Sequence, residues 1–364
     1  DIKAALAGTF ASTYTGNVTL TDGNSTNIAA TDISTIDGDT NGTITISNNV
    51  DINGTAAEIA AAVALVDTFS GTPTAELSNA HTLAELKAIN NAISGTIALN
   101  NYAVNLSGSS SDVAAALNGN FASTYTGDVS LSDNHTLAEL KTINNGTTGQ
   151  LTLKSYSVAL SGATADIKQA LAGTLASTYT GNVTLSDANG TAIAATDITT
   201  IDGDTNGTIT VSNNINMTGS AAEITAAVAV MDTILGAPTA TLNTAHTLAQ
   251  LKSVNNAFSG TIALTDYTVA LSGSSSDVAA ALDGTLAAQY TGNVTLSDAH
   301  TLAQLKTINS QTSGTITLAD YSVALSGTSA DVSAALDGTF ADTYTGTATV
   351  SNAHTLAQLK TINN

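Results

Sequence analysis

Two hydrophobic periods alternate along the chain. In residues 301–310, Leu302, Leu305 and Ile308 recur at helical spacing, behind Thr301 and Gln304. A Thr followed three residues later by Glu or Gln is a capping box, in which each side chain satisfies an orphan N–H of the helix start. The same arrangement stands at Thr82/Glu85, Thr136/Glu139, Thr247/Gln250 and Thr355/Gln358. The spacing therefore predicts five copies of one helix. A second helix type reads DVAAAL. Val278, Ala281 and Leu282 form one face, Asp277 suits the positive end of the helix dipole, and a Gly follows at 284, as at 119 and 338. Both helix types are short, would be marginal alone, and need a surface to bury against.

Strands supply that surface. Residues 293–296 (NVTL), 315–318 (TITL) and 322–325 (SVAL) alternate polar and apolar side chains with frequent β-branching. Between the last two, the parity slips. Ile316 and Leu318 share one phase, while Tyr321, Val323 and Leu325 share the other. A bulge, a corner or a tight hairpin would each produce this slip.

These signals repeat. Residues 277–330 carry two helix and three strand signals, recur as 112–165, and begin again as 331–364. Residues 1–111 and 166–276 are elaborated versions. They insert the polar stretch GNSTNIAATDISTIDGDTNG, a TITI-type strand, and a helix over 55–66 with Thr55 and Glu58 as its capping box. The chain thus reads as units 1–111, 112–165, 166–276, 277–330 and 331–364. One long and one short unit make a super-repeat, 1–165, which runs again over 166–330. Strand–helix alternation at this spacing predicts an α/β repeat: an elongated solenoid of short parallel strands and short helices around one continuous core. Strands stack at roughly 4.8 Å and helices at about 10 Å. One helix per strand on one side would force curvature, whereas three strands for two helices favours a straight or gently twisted rod. The opening at DIKAAL without an initiator Met, and the stop at TINN, read as a processed product or a window on a longer repeat protein.

Composition sharpens this picture. The chain is 43% hydrophobic but only 4% aromatic, without Trp, so the core is built in thin layers of Ala, Val, Ile and Leu. A net charge of −21 repels a phosphate backbone, which argues against nucleic acid, and attracts divalent cations. The absence of Cys excludes disulfides and thiolate metal sites. No apolar run approaches the roughly 20 residues of a membrane helix, so no membrane insertion is expected.

The motif best suited to chemistry is DGDTNG at 37–42, repeated at 202–207. It matches the start of a D-x-D-x-[DN]-G calcium loop, in which alternate oxygens face one ion and the Gly allows the sharp turn. Asp37, Asp39 and Asn41, with Asp202, Asp204 and Asn206, are the candidate Ca²⁺ ligands. The EF-hand pattern then fails, because its twelfth position is Asn48 or Asn213 and a strand signal follows. The competing reading is a polar turn. Five histidines (His81, His135, His246, His300, His354) each precede a capping Thr, where they would cover the helix start. Tyr14, Tyr125, Tyr179, Tyr290 and Tyr344 sit in YTG, and their regular placement favours packing over the solenoid's edge. Thr-rich strands suggest flat Thr arrays of the ice-binding kind, interrupted at Ala98 and Ala263. No nucleophile–base pairing, phosphate loop or zinc spacing appears, and no enzyme is expected.

The phrases AHTLAQLKTIN, SGTITLADYSVALSG and DVAAALDGTLAAQYTGNVTLSD resemble repeat regions of giant secreted or cell-surface proteins of bacteria, adhesin- or matrix-like and of the marine cyanobacterial type. The resemblance covers nearly the whole chain. It implies an acidic structural protein, extracellular or at the cell surface, in a fibre, matrix or surface layer. End-to-end self-association is expected, since open solenoid ends present unpaired strands. The scarcity of Lys and absence of Arg would leave few sites for trypsin-like proteases. The alternative is an adhesin stalk, or a solenoid module binding glycans or ice.

Overall fold

A computed structural model describes residues 1–363. The chain forms two compact units, residues 1–183 with 204–207, and residues 184–203 with 208–364. Helices of the first are α1 (Ile2–Leu6), α2 (Ala30–Asp39), α3 (Ala56–Leu65), α4 (Leu83–Ala92), α5 (Ser110–Leu117), α6 (Leu137–Gly146) and α7 (Thr164–Leu171). Those of the second are α8 (Ala195–Asp204, its last residue counted with the first unit), α9 (Ala221–Val230), α10 (Leu248–Ala257), α11 (Ser275–Leu282), α12 (Leu302–Gln311), α13 (Ser329–Leu336) and α14 (Leu356–Asn363). Between helices run short strands that pair in parallel within small sheets. Each unit is an α/β repeat solenoid.

Two different periods build the coil. In the first unit Leu106 faces Val129, Val129 faces Leu151, and Leu151 faces Leu175. In the second, Leu271 faces Val294, Val294 faces Ile316 within one sheet, and Ile316 bridges to Phe340, so the same steps recur. Helix starts are spaced more widely. Helices α4, α5, α6 and α7 begin at Leu83, Ser110, Leu137 and Thr164, at one constant interval longer than any of those strand steps. Each helix therefore starts about four positions later around the coil than the helix below it, roughly 13 Å of extended chain. This sideways step reconciles the two spacings, because helices too thick to stack at the strand distance are displaced instead.

A strand is laid across the starts of α4, α6, α10 and α12. Strand Leu106–Gly108 runs over the start of α4. A Cβ on Gly108 would come within 2.4 Å of Leu83 Cδ2, and Gly162, Gly273 and Gly327 meet Leu137, Leu248 and Leu302 in the same way. The Gly of the LSG motif is the residue that lets strand and helix touch.

Inward positions form the expected thin aliphatic layers. Ile97, Leu140, Ile143, Leu151, Leu251, Val278, Leu305 and Ile316 are fully buried. Many outward strand positions are Ser or Thr: Thr19, Thr45 and Thr68 lie side by side on three adjacent strands, whereas Asn53, Glu76 and Ala98 hold the matching places in another sheet. The capping boxes form as the spacing predicts at Thr55, Thr82, Thr136, Thr247 and Thr301, and also at Ser220.

Of the three causes the parity slip allowed, a bulge, a corner or a hairpin, the structure has the corner, at 319–321. Strand Ile316–Thr317 and strand Leu325–Gly327 pair with different neighbours, and the Tyr321 hydroxyl accepts the Leu318 N–H at 3.2 Å across the bend. The strand after the corner starts at Leu325, not Ser322. The inserted polar stretch is also more ordered than its composition suggests. It holds strand Asn27–Ala29 and α2, anchored by buried Ile28, Ile33 and Ile36.

Candidate functional site

The repeated polar residues meet in a ladder between coils. His81 Nε2 lies 3.0 Å from the Tyr125 hydroxyl, 44 residues away, and that hydroxyl donates to the Val104 carbonyl at 2.6 Å. The same triad recurs as His135–Tyr179–Val158, His246–Tyr290–Val269 and His300–Tyr344–Val323. The tyrosine's one proton is committed to the carbonyl, so its oxygen accepts from Nε2–H. That fixes the neutral tautomer with a bare Nδ1, and in all four histidines Nδ1 is buried without a hydrogen-bond partner among the described residues.

Burial lowers the pKa of each of these histidines, opposed by nearby carboxylates. These are Glu85 for His81, Glu139 and Asp133 for His135, Asp266 for His246, and Asp320 and Asp298 for His300. Burial also raises the tyrosines, Tyr344 to about 12. Tyr125, Tyr179 and Tyr290 thus sit inside the coil rather than over its edge.

The following Gly belongs to the same device. A Cβ on Gly127 would stand 2.0 Å from the Val104 carbonyl oxygen that the Tyr125 hydroxyl binds. YTG is therefore one unit, a hydroxyl and a bare Cα closing on one carbonyl. Nothing in the sequence pairs His with a Tyr 44 residues on, because the contact spans two coils whose length only the pairing register reveals.

Two further rungs join neighbouring helices. Lys87, Lys141, Lys252 and Lys306 form ion pairs with Asp112, Asp166, Asp277 and Asp331. Asn90, Asn144, Asn255 and Asn309 donate to the carbonyls of Ala115, Gln169, Ala280 and Ala334, each 25 residues on. Other acidic residues cap backbone from the next coil. Asp133 accepts the Ser110 N–H at 2.7 Å and Asp298 the Ser275 N–H at 2.6 Å. Asp67 and Asp232 accept from Ile44 and Ile209, both at 2.8 Å.

The DGDTNG motif divides into two parts. Thr40 is buried; its Oγ1 donates to the Gly16 carbonyl at 3.0 Å and accepts the Gly42 N–H at 2.9 Å. Asn41 N–H donates to the Tyr14 carbonyl. The same Thr-x-Gly turn closes coils at Thr147–Gly149 and Thr312–Gly314, where no Asp precedes it. The Thr and Gly thus serve the coil. Asp37 and Asp39 form the last turn of α2, and residues two apart on a helix look in different directions. Asp202 and Asp204 end α8 likewise, and burial raises the Asp204 pKa. Among the described residues, no three His, Cys, Asp or Glu side chains are grouped to hold a metal ion.

No helix among the described residues is long and apolar enough to cross a membrane. The chain matches no protein-family model and no curated protein.

Proposed function

We propose that the chain is a structural protein of the cell exterior, an element of a fibre, matrix or surface layer assembled from repeated coils. The observation that carries this reading is the employment of its polar chemistry. The Lys–Asp, Asn–carbonyl and His–Tyr–carbonyl contacts recur in near-identical copies and serve coil-to-coil adhesion. Reaction chemistry needs one site made different from its copies; scaffolding needs the copies alike. The extracellular setting rests on the resemblance to secreted repeat regions and on a chain poor in Lys and without Arg.

Calcium is part of the proposal. Asp37 and Asp39 put two carboxylates at the negative end of a helix with no basic residue in its last turn. A bound cation would offset that repulsion, with Asn41 as a further oxygen, and Asp202, Asp204 and Asn206 would do the same.

Sedimentation velocity and negative-stain microscopy of the full chain, with calcium and with a chelator, test the proposal. It expects concentration-dependent growth into regular fibres or sheets. A strictly monomeric chain under every condition contradicts it.

A further inference from the structure

The short units 112–165 and 277–330 are near copies, and they diverge most around one hollow. It lies in the first compact unit, where the loop after α5 meets the last turns of α6, and its volume is about 520 Å³. Residues lining it differ between the two units more often than residues elsewhere in them. Phe121 stands where Leu286 does, Thr124 where Gln289 does, and Gly146 where Gln311 does. Two long side chains are thus replaced by small residues, and an aliphatic wall by an aromatic one. A Cβ on Gly146 would come within 2.6 Å of Leu117 Cβ, so the bare Cα also lets the ends of α5 and α6 approach.

Three properties of the lining narrow its occupant. One wall is aromatic. Phe121 is half-buried and leans on buried Tyr125, with ring centroids 5.9 Å apart. The rim is polar and unspent. The side chains of Asn118, Ser123, Thr124 and Asn145 are exposed and make no hydrogen bond among the described residues. By contrast, Asn144 donates to the Gln169 carbonyl, and Ser310, which matches Asn145, donates to the Thr307 carbonyl. The charge is balanced. No carboxylate lines the hollow, and its Lys141 is paired with Asp166. In a chain of net charge −21 this is a locally neutral place.

We propose that this hollow binds a neutral pyranose sugar, either free or as the end residue of a glycan. A pyranose has one face of C–H groups and a rim of hydroxyls. The Phe121 ring takes the apolar face, and the amides of Asn118 and Asn145 with the hydroxyls of Ser123 and Thr124 take the rim. The volume falls within the roughly 300–1,000 Å³ of small-molecule sites. Because the rim is open to solvent, binding is weak, with a Kd on the order of 1 mM. One chain suffices for it, so the proposal stands apart from the fibre reading.

Saturation-transfer NMR and titration calorimetry on the full chain test it. The probes are the methyl glycosides of glucose, galactose, mannose and N-acetylglucosamine, and the disaccharides maltose, lactose and chitobiose. At least one binds in the millimolar range. A disaccharide bound more tightly than its glycoside supports a glycan end, and equal binding supports a single ring. Phe121→Leu and Gly146→Gln each install the residue of the sister unit and weaken binding about tenfold or more. Asn145→Ser, at an exposed position, weakens it less. Circular dichroism and thermal melting check that each variant folds. No binding of any of these sugars at concentrations well above that Kd overturns the proposal, as does binding that the folded variants leave unchanged. Both results leave the fibre reading standing, since that reading is tested by association alone.

Discussion

Four buried or half-buried tyrosine hydroxyls sit where two coils meet, each donating to a carbonyl and accepting from a histidine. Tyr290→Phe leaves the His246 N–H and the Val269 carbonyl short of a partner. The expected loss is about 1–3 kcal/mol in urea unfolding. Tyr14→Phe, at an exposed hydroxyl without a histidine, serves as the contrast and changes little. The histidines also set a pH dependence. Their folded pKa lies below the ordinary 6.5, so the unfolded chain binds protons first as pH falls. Stability is complete above about 6.5 and declines from there towards the lowered folded values. Asp112, Asp277 and Asp331, held below the ordinary 3.8 chiefly by hydrogen bonds from Lys87, Lys252 and Lys306, add a second loss below about pH 4. Urea midpoints between pH 8 and pH 3 should fall in two stages. Replacing the four partnered histidines by Gln should flatten the first stage and leave the second. An unchanged first stage would assign it to other groups.

At the scale of elements, the helices with capping boxes were legible from the sequence because their signals are local. Thr301 and Gln304 satisfy each other's backbone within one turn. Thr301→Ala should destabilise by about 1 kcal/mol in the same unfolding assay. Helix α2 was not legible. Its apolar face is only Ala30, Ile33 and Ile36, its start has no side-chain cap, and Ser, Thr and Asp fill most of the rest, so the segment reads as loop until the coil supplies a surface. The acids at its end make a testable case. Without calcium, Asp37→Asn with Asp39→Asn removes repulsion at a helix C-terminus and should stabilise by about 0.3–1 kcal/mol per charge. If calcium raises the melting temperature of the wild type, the same pair should abolish part of that rise. A calcium shift indifferent to these substitutions and to Asp202→Asn with Asp204→Asn would remove the metal from the account.

For the whole molecule, the sequence period and the coil period differ. The repeat 112–165 is long because it counts two helices, while strand partners such as Leu106 and Val129, or Val129 and Leu151, recur at less than half that interval. Repeat counting reveals the longer interval and cannot reveal the shorter, which hydrogen-bond register alone decides. That is why solenoid class, strand types and helix starts were legible, whereas the His–Tyr partnership across two coils was not. The proposed function depends on those coils being a template that adds more of itself. X-ray diffraction from aligned assemblies of the chain tests this most directly. The account predicts a reflection near ~4.8 Å along the assembly axis, from parallel strands stacked coil on coil. Ordered assemblies with that reflection perpendicular to the axis, or without it, would contradict end-to-end growth.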